Sequence, residues 1–151
     1  MATNHTERER IIEQVKRQPS ECSCAQCVNM CRRAPCLGTP QDILNLIEAG
    51  HVDKLSAGMW AAGIVAGIAP IMMVQLTLTK TGCIMFNAQE GKCTLHDTGL
   101  KPLEGILAIH GGDPLASNAH PTVAVAKTWL DDKNFYTVLK IVNAIKAHQD
   151  K

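Results

Sequence analysis

The amino-acid sequence predicts a small single α+β domain, with peripheral helices, a small antiparallel sheet and a cysteine-rich loop between them. Three observations predict it. Helical periodicity is confined to the two ends of the chain and one segment near residue 40, and strand-forming residues broken by turn signals fill the middle. The length, 151 residues with 46% hydrophobic side chains and a formal charge of +1, suits one compact core. About 68–70% of the unfolded surface can be buried at this size, which is enough without disulfide staples.

The first segment, residues 1–19, reads as an amphipathic helix. Thr6 stands three residues before Glu9 as a capping box, Ile11, Ile12 and Val15 share one face, and Pro19 ends it. Residues 20–38 hold five cysteines, Pro35 and Gly38 and show neither helical nor strand periodicity, so the spacing predicts a loop there. Thr39 as N-cap, Pro40 at the first helical position and Asp42 three residues after the cap open a helix through Ile43, Leu44, Leu46 and Ile47, closed by Gly50. Its N-terminal amides and positive dipole end are expected to favour an anionic thiolate group nearby.

From Leu55 to Thr79 no residue is charged, and a membrane span has to be weighed. Pro70 and three glycines weaken a helix there, and the β-formers of Ile71 to Thr79 favour two strands turning near Ala69 and Pro70, buried on both faces. No membrane partner is expected. A second hairpin is predicted from Cys83–Phe86 and Lys92–His96, joined by Asn87–Gly91, with two thiols on facing strands. Residues 97–121 read as loop with one short apolar piece, Ile106 to Ile109. Two helices finish the chain, about Thr122–Leu130 and Asn134–His148, the second with Phe135, Val138, Leu139, Val142 and Ile145 at helical spacing.

Composition also excludes classes of function. The 15 Lys and Arg are interleaved with 14 acids, which argues against a nucleic-acid partner. Trp60, Phe86, Trp129, Phe135 and Tyr136 lack the basic-aromatic interleaving of a single-strand binder. Gly111-Gly112-Asp113 is a turn without the Lys-Ser/Thr of a phosphate loop, and Asp131-Asp132 reads as an exposed link between helices.

Cysteine is the informative residue type. Of seven, Cys22, Cys24, Cys27, Cys31 and Cys36 are clustered, and Cys83 and Cys93 follow on the predicted hairpin. The charged first turns carry no apolar signal region, so a reducing cytoplasm is expected, and an odd count of clustered thiols there points to metal ligation or redox chemistry. Cys24-x2-Cys27-x3-Cys31-x4-Cys36, completed by Cys83-x9-Cys93, lets six sulfurs converge and tie the loop to the second hairpin by metal. Zinc needs four ligands at about 2.3 Å and an iron–sulfur cluster needs four thiolates. The ferredoxin spacing is not matched, the radical-SAM spacing is reversed, and Cys24-x2-Cys27 lacks the preceding strand of a thioredoxin site. His96, His110 and His120 are alternative ligands, although histidines in such settings are more often satisfied surface or core groups; the methionines read as packing residues before copper ligands.

The N-terminal cysteine cluster, Pro35-Cys36 ahead of the Thr39-Pro40-x-Asp42 helix, Cys83-x-x-Phe86, Gly91-Lys92-Cys93-Thr94-Leu95-His96 and Lys101-Pro102 together resemble the YkgJ-type zinc- or iron-chelating cysteine-cluster family. The resemblance spans about Cys24 to Pro102 and is most specific in the second-hairpin motif. It implies a bound metal, and through a distant likeness to flagellin lysine methylases a protein-modifying enzyme as a further alternative. Many members have adjacent cysteines in the first cluster, which this chain lacks. Many also carry a last cysteine three residues after the proline of an Arg-Pro pair; Gly105 stands there, leaving Cys36 or Cys22 as the substitute.

The expectation is therefore a metal-chelating chain with residues 20–102 as the metal-binding region, residues 103–151 as a C-terminal loop and two helices, and Cys24, Cys27, Cys31, Cys36, Cys83 and Cys93 as ligands. An iron–sulfur cluster for electron transfer or redox sensing, with a redox or protein partner that the residues do not identify, comes first because six thiolates exceed one structural zinc site. A zinc-stabilised interaction module is the alternative. Cys22, two residues from Cys24, is expected outside the shell, since neighbours at that spacing point to opposite sides of an extended segment.

Overall fold

The computed structural model describes residues 6–15, 25–33, 35–60, 71–107 and 121–150. It is an α+β domain. Helix α1 (Glu7–Val15) begins where Thr6 Oγ1 accepts the Glu9 N–H at 3.2 Å, and it buries Ile11 and Val15. Residues 16–24, including the predicted stop at Pro19, lie outside the described set.

Helix α2 (Ala25–Arg33) corrects the expectation of an irregular cysteine-rich loop. Its nine residues contain no Gly, Pro or β-branched residue except Val28, and Arg32 and Arg33 complement the negative end of its dipole. The density of cysteines concealed a short helix-compatible stretch. Positions 27 and 31 are one turn apart along it.

Helix α3 (Pro40–Glu48) has the predicted start. Thr39 Oγ1 accepts the Asp42 N–H at 3.1 Å, and the Asp42 carboxylate accepts the Thr39 N–H at 3.1 Å. Gly50, with φ +94°, takes the chain out of the helix in a conformation that suits glycine. The expected thiolate at this N-terminus is replaced by Asp42 itself. Its carboxylate is buried, accepts the Leu103 N–H at 3.0 Å, and pairs with Arg8 Nη1 at 2.9 Å. That anion is covalently part of the helix and already satisfies the amides, so a second anion gains little there.

The uncharged stretch supplies two strands. β1 (Leu55–Trp60) pairs antiparallel with β2 (Ile71–Leu76), in register from Leu55 opposite Leu76 to Trp60 opposite Ile71. The turn near Ala69 and Pro70 lies outside the described residues. Burial is one-sided at Met72, which is 60% exposed, whereas Ile71, Met73 and Leu76 are buried. No helix among the described residues is long and apolar enough to cross a membrane.

The remaining strands are short ribbons. β3 (Leu78–Thr79) pairs with β4 (Gly82–Cys83), and β5 (Phe86–Asn87) pairs with β6 (Lys92–Cys93). The predicted second hairpin is therefore divided. Cys83 stands opposite Leu78, and Phe86 takes the place opposite Cys93. The turn at Ile84 and Met85 separates the two ribbons: the Ile84 N–H donates to the Thr77 carbonyl at 2.9 Å, on the β3–β4 side, and the Met85 carbonyl accepts the Thr94 N–H at 2.7 Å, on the β5–β6 side.

Helix α4 (Leu103–Ile106) is a single turn in the segment read as loop, with Leu103 and Ile106 buried. Helix α5 (Pro121–Lys127) runs into a 3₁₀ turn at Thr128–Leu130, and helix α6 (Phe135–Gln149) follows another at Asp132–Asn134. Helices α1 and α5 pack together, as do α3 and α6. The core gathers Ile43 and Leu46 of α3, Ile71, Met73 and Leu76 of β2, and Leu103, Val125 and Ile141.

The face of α6 differs from the one read off the sequence. Ile141 is fully buried, with Val138 and Ile145 beside it, while Phe135, Leu139 and Val142 are exposed. The helix is apolar on two sides, so periodicity alone does not orient it. Asn134 does so at its start, donating to Glu7 Oε2 and to the Thr128 carbonyl, both at 2.8 Å.

Candidate metal centre

Four of the six predicted ligands reach one region from four parts of the chain. Cys31 lies on α2, Cys36 in the segment before α3, Cys83 on β4 and Cys93 on β6. All four are free thiols. Each lies within the electrostatic reach of the other three. Cys27 is on α2 as well, and Cys22, Cys24, His110 and His120 fall outside the described residues.

Gly82 brings α2 to the hairpins. A Cβ built on it would stand 2.5 Å from the Cys31 carbonyl oxygen and 2.6 Å from Arg32 Cα, so only a hydrogen fits between the ribbon and the helix backbone. Arg32 adds a second tie, its guanidinium 5.6 Å from the centre of the Phe86 ring. The two contacts hold α2 against the ribbon that carries Cys83, with Cys31 within electrostatic reach of Cys83 and Cys93.

Cys36 is placed by a stitched segment. The Leu37 N–H donates to Glu104 Oε1 and the Glu104 N–H to the Leu37 carbonyl, both at 3.0 Å. Trp129 Nε1 donates to the Gly38 carbonyl at 2.9 Å. The sulfur of Cys36 then occupies the space a side chain at position 105 would need: a Cβ on Gly105 would stand 2.7 Å from it.

Backbone donors face the other sulfurs. Cys83 accepts from Met85 and Phe86, and Cys93 Sγ accepts the Leu95 N–H at 3.4 Å. Amides aimed at sulfur stabilise a thiolate more than a thiol. Soft thiolates with backbone donors suit zinc or iron–sulfur chemistry, so the donor set fits the expected metals. Among the described residues no three His, Cys, Asp or Glu side chains are close enough together, as placed, to hold one ion.

Without a cation the thiols of Cys31, Cys36 and Cys83 hold their protons. Burial pushes the Cys83 thiol from 9.0 up to about 11, against the opposing Met85 N–H. Burial likewise raises Cys31, with Cys93 adding to it and Lys101 opposing it. Cys36 is raised well above the ordinary value by burial first, then by the Glu104 carboxylate and the other three sulfurs. A metal must therefore displace protons to bind.

A pH dependence follows for the metal-free chain. The folded state holds the Cys83 proton more tightly than the unfolded one, so this stabilisation is complete below pH 9.0 and is lost as pH rises to about 11. The loss expected from this thiol alone is about 3 kcal/mol, at about 1.4 kcal/mol per unit. Urea unfolding of metal-free protein at several pH values across that window checks it; a flat profile would show that Cys83 is not buried as described.

His96 pairs with a buried lysine. Its Nε2 lies 2.7 Å from the ammonium of Lys101, a side chain only 5% exposed. Sequence reasoning noted Lys101 only as part of a Lys-Pro pair, and missed Gly82 and Glu104 altogether. A lysine in a stretch rich in turn residues normally faces water, so no local signal marked its burial. Gly82 beside Cys83 could have been flagged, since a glycine next to a candidate ligand commonly marks close backbone approach.

No family model, no curated protein and no solved structure matches the chain.

Proposed function

We propose that this chain binds a metal through its cysteine cluster, as an iron–sulfur protein of the reducing cytoplasm. The observation that carries the reading is that Cys31, Cys36, Cys83 and Cys93, drawn from four chain segments, lie within electrostatic reach of one another, with backbone N–H groups directed at the sulfurs of Cys83 and Cys93. Four separate thiols are not needed in one place to fill an ordinary core. Cys24 and Cys27 complete the candidate set. Cys36 serves as the substitute for the cysteine that the YkgJ-type pattern carries at position 105, because its sulfur abuts that position.

The cluster is favoured over a single zinc because six candidate thiolates exceed one tetrahedral site. A cluster held by these cysteines would supply one-electron transfer, and the chain's own residues would shield it and hold the four segments together. Electron transfer to a protein partner or redox sensing is the corresponding activity.

Purification without oxygen, followed by iron, zinc and acid-labile sulfide analysis, tests the reading. Brown protein with iron and sulfide, bleaching in air, is the expected result. Colourless protein with stoichiometric zinc and no sulfide overturns the cluster and leaves a zinc-stabilised interaction module. Protein that carries and accepts neither metal overturns metal binding itself.

A further inference from the structure

Lys101 precedes Pro102 and the one-turn helix α4, and the fold turns its side chain inward until only 5% of it is exposed. Its Cε would stand 3.0 Å from a Cβ at Gly105, the same point that lies 2.7 Å from Cys36 Sγ. Its charge acts on Cys31 from α2. The side-chain hydrogen bond of its ammonium goes to the ring nitrogen of His96, at 2.7 Å. An ammonium can only donate, so His96 Nε2 accepts and the imidazole is neutral while Lys101 is charged. Glu104 faces Cys36 and also accepts from the Leu37 N–H, which places an anion on the Cys36 side of the region.

A buried ammonium held by a neutral ring is costly until an anion reaches it. The thiols of Cys31 and Cys36 become anions when they ligate a metal. Four thiolates around one divalent zinc carry a net charge of minus two, and the cluster alternative is likewise anionic, so a fixed positive charge at their edge offsets the surplus.

We infer that Lys101 is the counter-charge of the thiolate centre, held in position by His96, and that it favours the metal-loaded state over the empty one. This rests on the metal-binding reading. Lys101 is a positioning and charge-balancing residue and not a ligand.

The distinguishing readout is a pair of effects of opposite sign. Lys101→Met keeps the apolar stem and deletes the charge. It is expected to weaken metal binding about 10–100-fold, the usual range for residues just outside a ligand set. The same variant is expected to hold or raise the melting temperature of the metal-free protein, because a buried charge facing a neutral ring is gone. Lys101→Arg, which keeps the charge, should bind within a few-fold of the wild type, and His96→Gln should fall between the two. Co(II) is the probe, read by its thiolate-to-cobalt absorbance, with zinc in competition. If Lys101→Met lowers both affinity and metal-free stability, or leaves affinity unchanged, the side chain is a packing group and the inference is overturned. Should the Met variant not fold, the same conclusion follows, and Lys101→Arg failing to bind Co(II) in a folded protein overturns it independently. Wild-type protein that takes up neither Co(II) nor iron overturns the metal-binding reading first, and this inference with it.

Discussion

Cys31→Ser, Cys83→Ser and Cys93→Ser are each expected to empty the proposed metal centre and lose the cooperative melting transition of metal-loaded protein, while Cys22→Ser changes neither. Metal binding to a site absent from the unfolded chain adds directly to folding free energy, by about 10–16 kcal/mol in apparent terms for zinc-finger peptides. The whole stability of a domain is about 5–15 kcal/mol, so losing one ligand removes a share comparable to the margin. Cys83 and Cys93 carry a second penalty, being 5% and 4% exposed, because a serine hydroxyl there must find a new hydrogen-bond partner. Metal content per folded protein and melting temperature across all seven single variants measure this. An empty site in Cys22→Ser with a full one in Cys93→Ser would reverse the assignment.

Gly82→Ala should have the next largest effect, about 3–5 kcal/mol of destabilisation, from two causes that add. The backbone there has φ +119°, a conformation that a side chain strains against. The added methyl would also press on the backbone of Cys31 and Arg32, which cannot rotate away as a side-chain tip can. The result expected is separation of α2 from the β3–β4 ribbon, with Cys31 moved off Cys83 and Cys93. Denaturant unfolding and metal affinity should fall together in Gly82→Ala. Gly91→Ala is the control, since its φ of +66° brings the conformational strain with open space around the Cβ. Equal losses in the two variants would mean that the close packing at Gly82 contributes nothing.

The elements that could be read in advance are those decided within a few residues. Thr39, Pro40 and Asp42 specify the start of α3 because the capping hydrogen bonds close over three residues. Thr6 does the same for α1. The β-formers from Ile71 to Leu76 specify a strand, and the count and grouping of cysteines specify that thiol chemistry should be sought. Fold class follows from these, because strands without alternating long helices close as antiparallel ribbons.

The arrangement of the candidate centre depends on contacts between residues far apart in the chain, which periodicity and composition do not encode. The Cys31 backbone lies against Gly82 because glycine admits the α2 backbone there, and Cys36 is held because Glu104 and Trp129 bind the segment around it. Cys83 leaves the hairpin of Cys93 because it pairs with Leu78, and the Ile84 N–H donates to the Thr77 carbonyl while the Met85 carbonyl turns to the Thr94 N–H. Helix α6 is apolar on two faces, and only its packing on α3 and the Asn134 hydrogen bonds select Ile141 for the core. Lys101 is the sharpest case: by itself a lysine belongs in water, and it is the surrounding fold, with His96 at its tip and the thiols of Cys31 and Cys36 beside it, that makes a buried position. The sequence by itself determined the helix starts, the strand content and the presence of a thiol cluster, since short-range hydrogen bonds and side-chain type suffice for those. Tertiary structure alone decided which thiols come within reach of one another and that Lys101 is buried, since both follow from packing against distant parts of the chain.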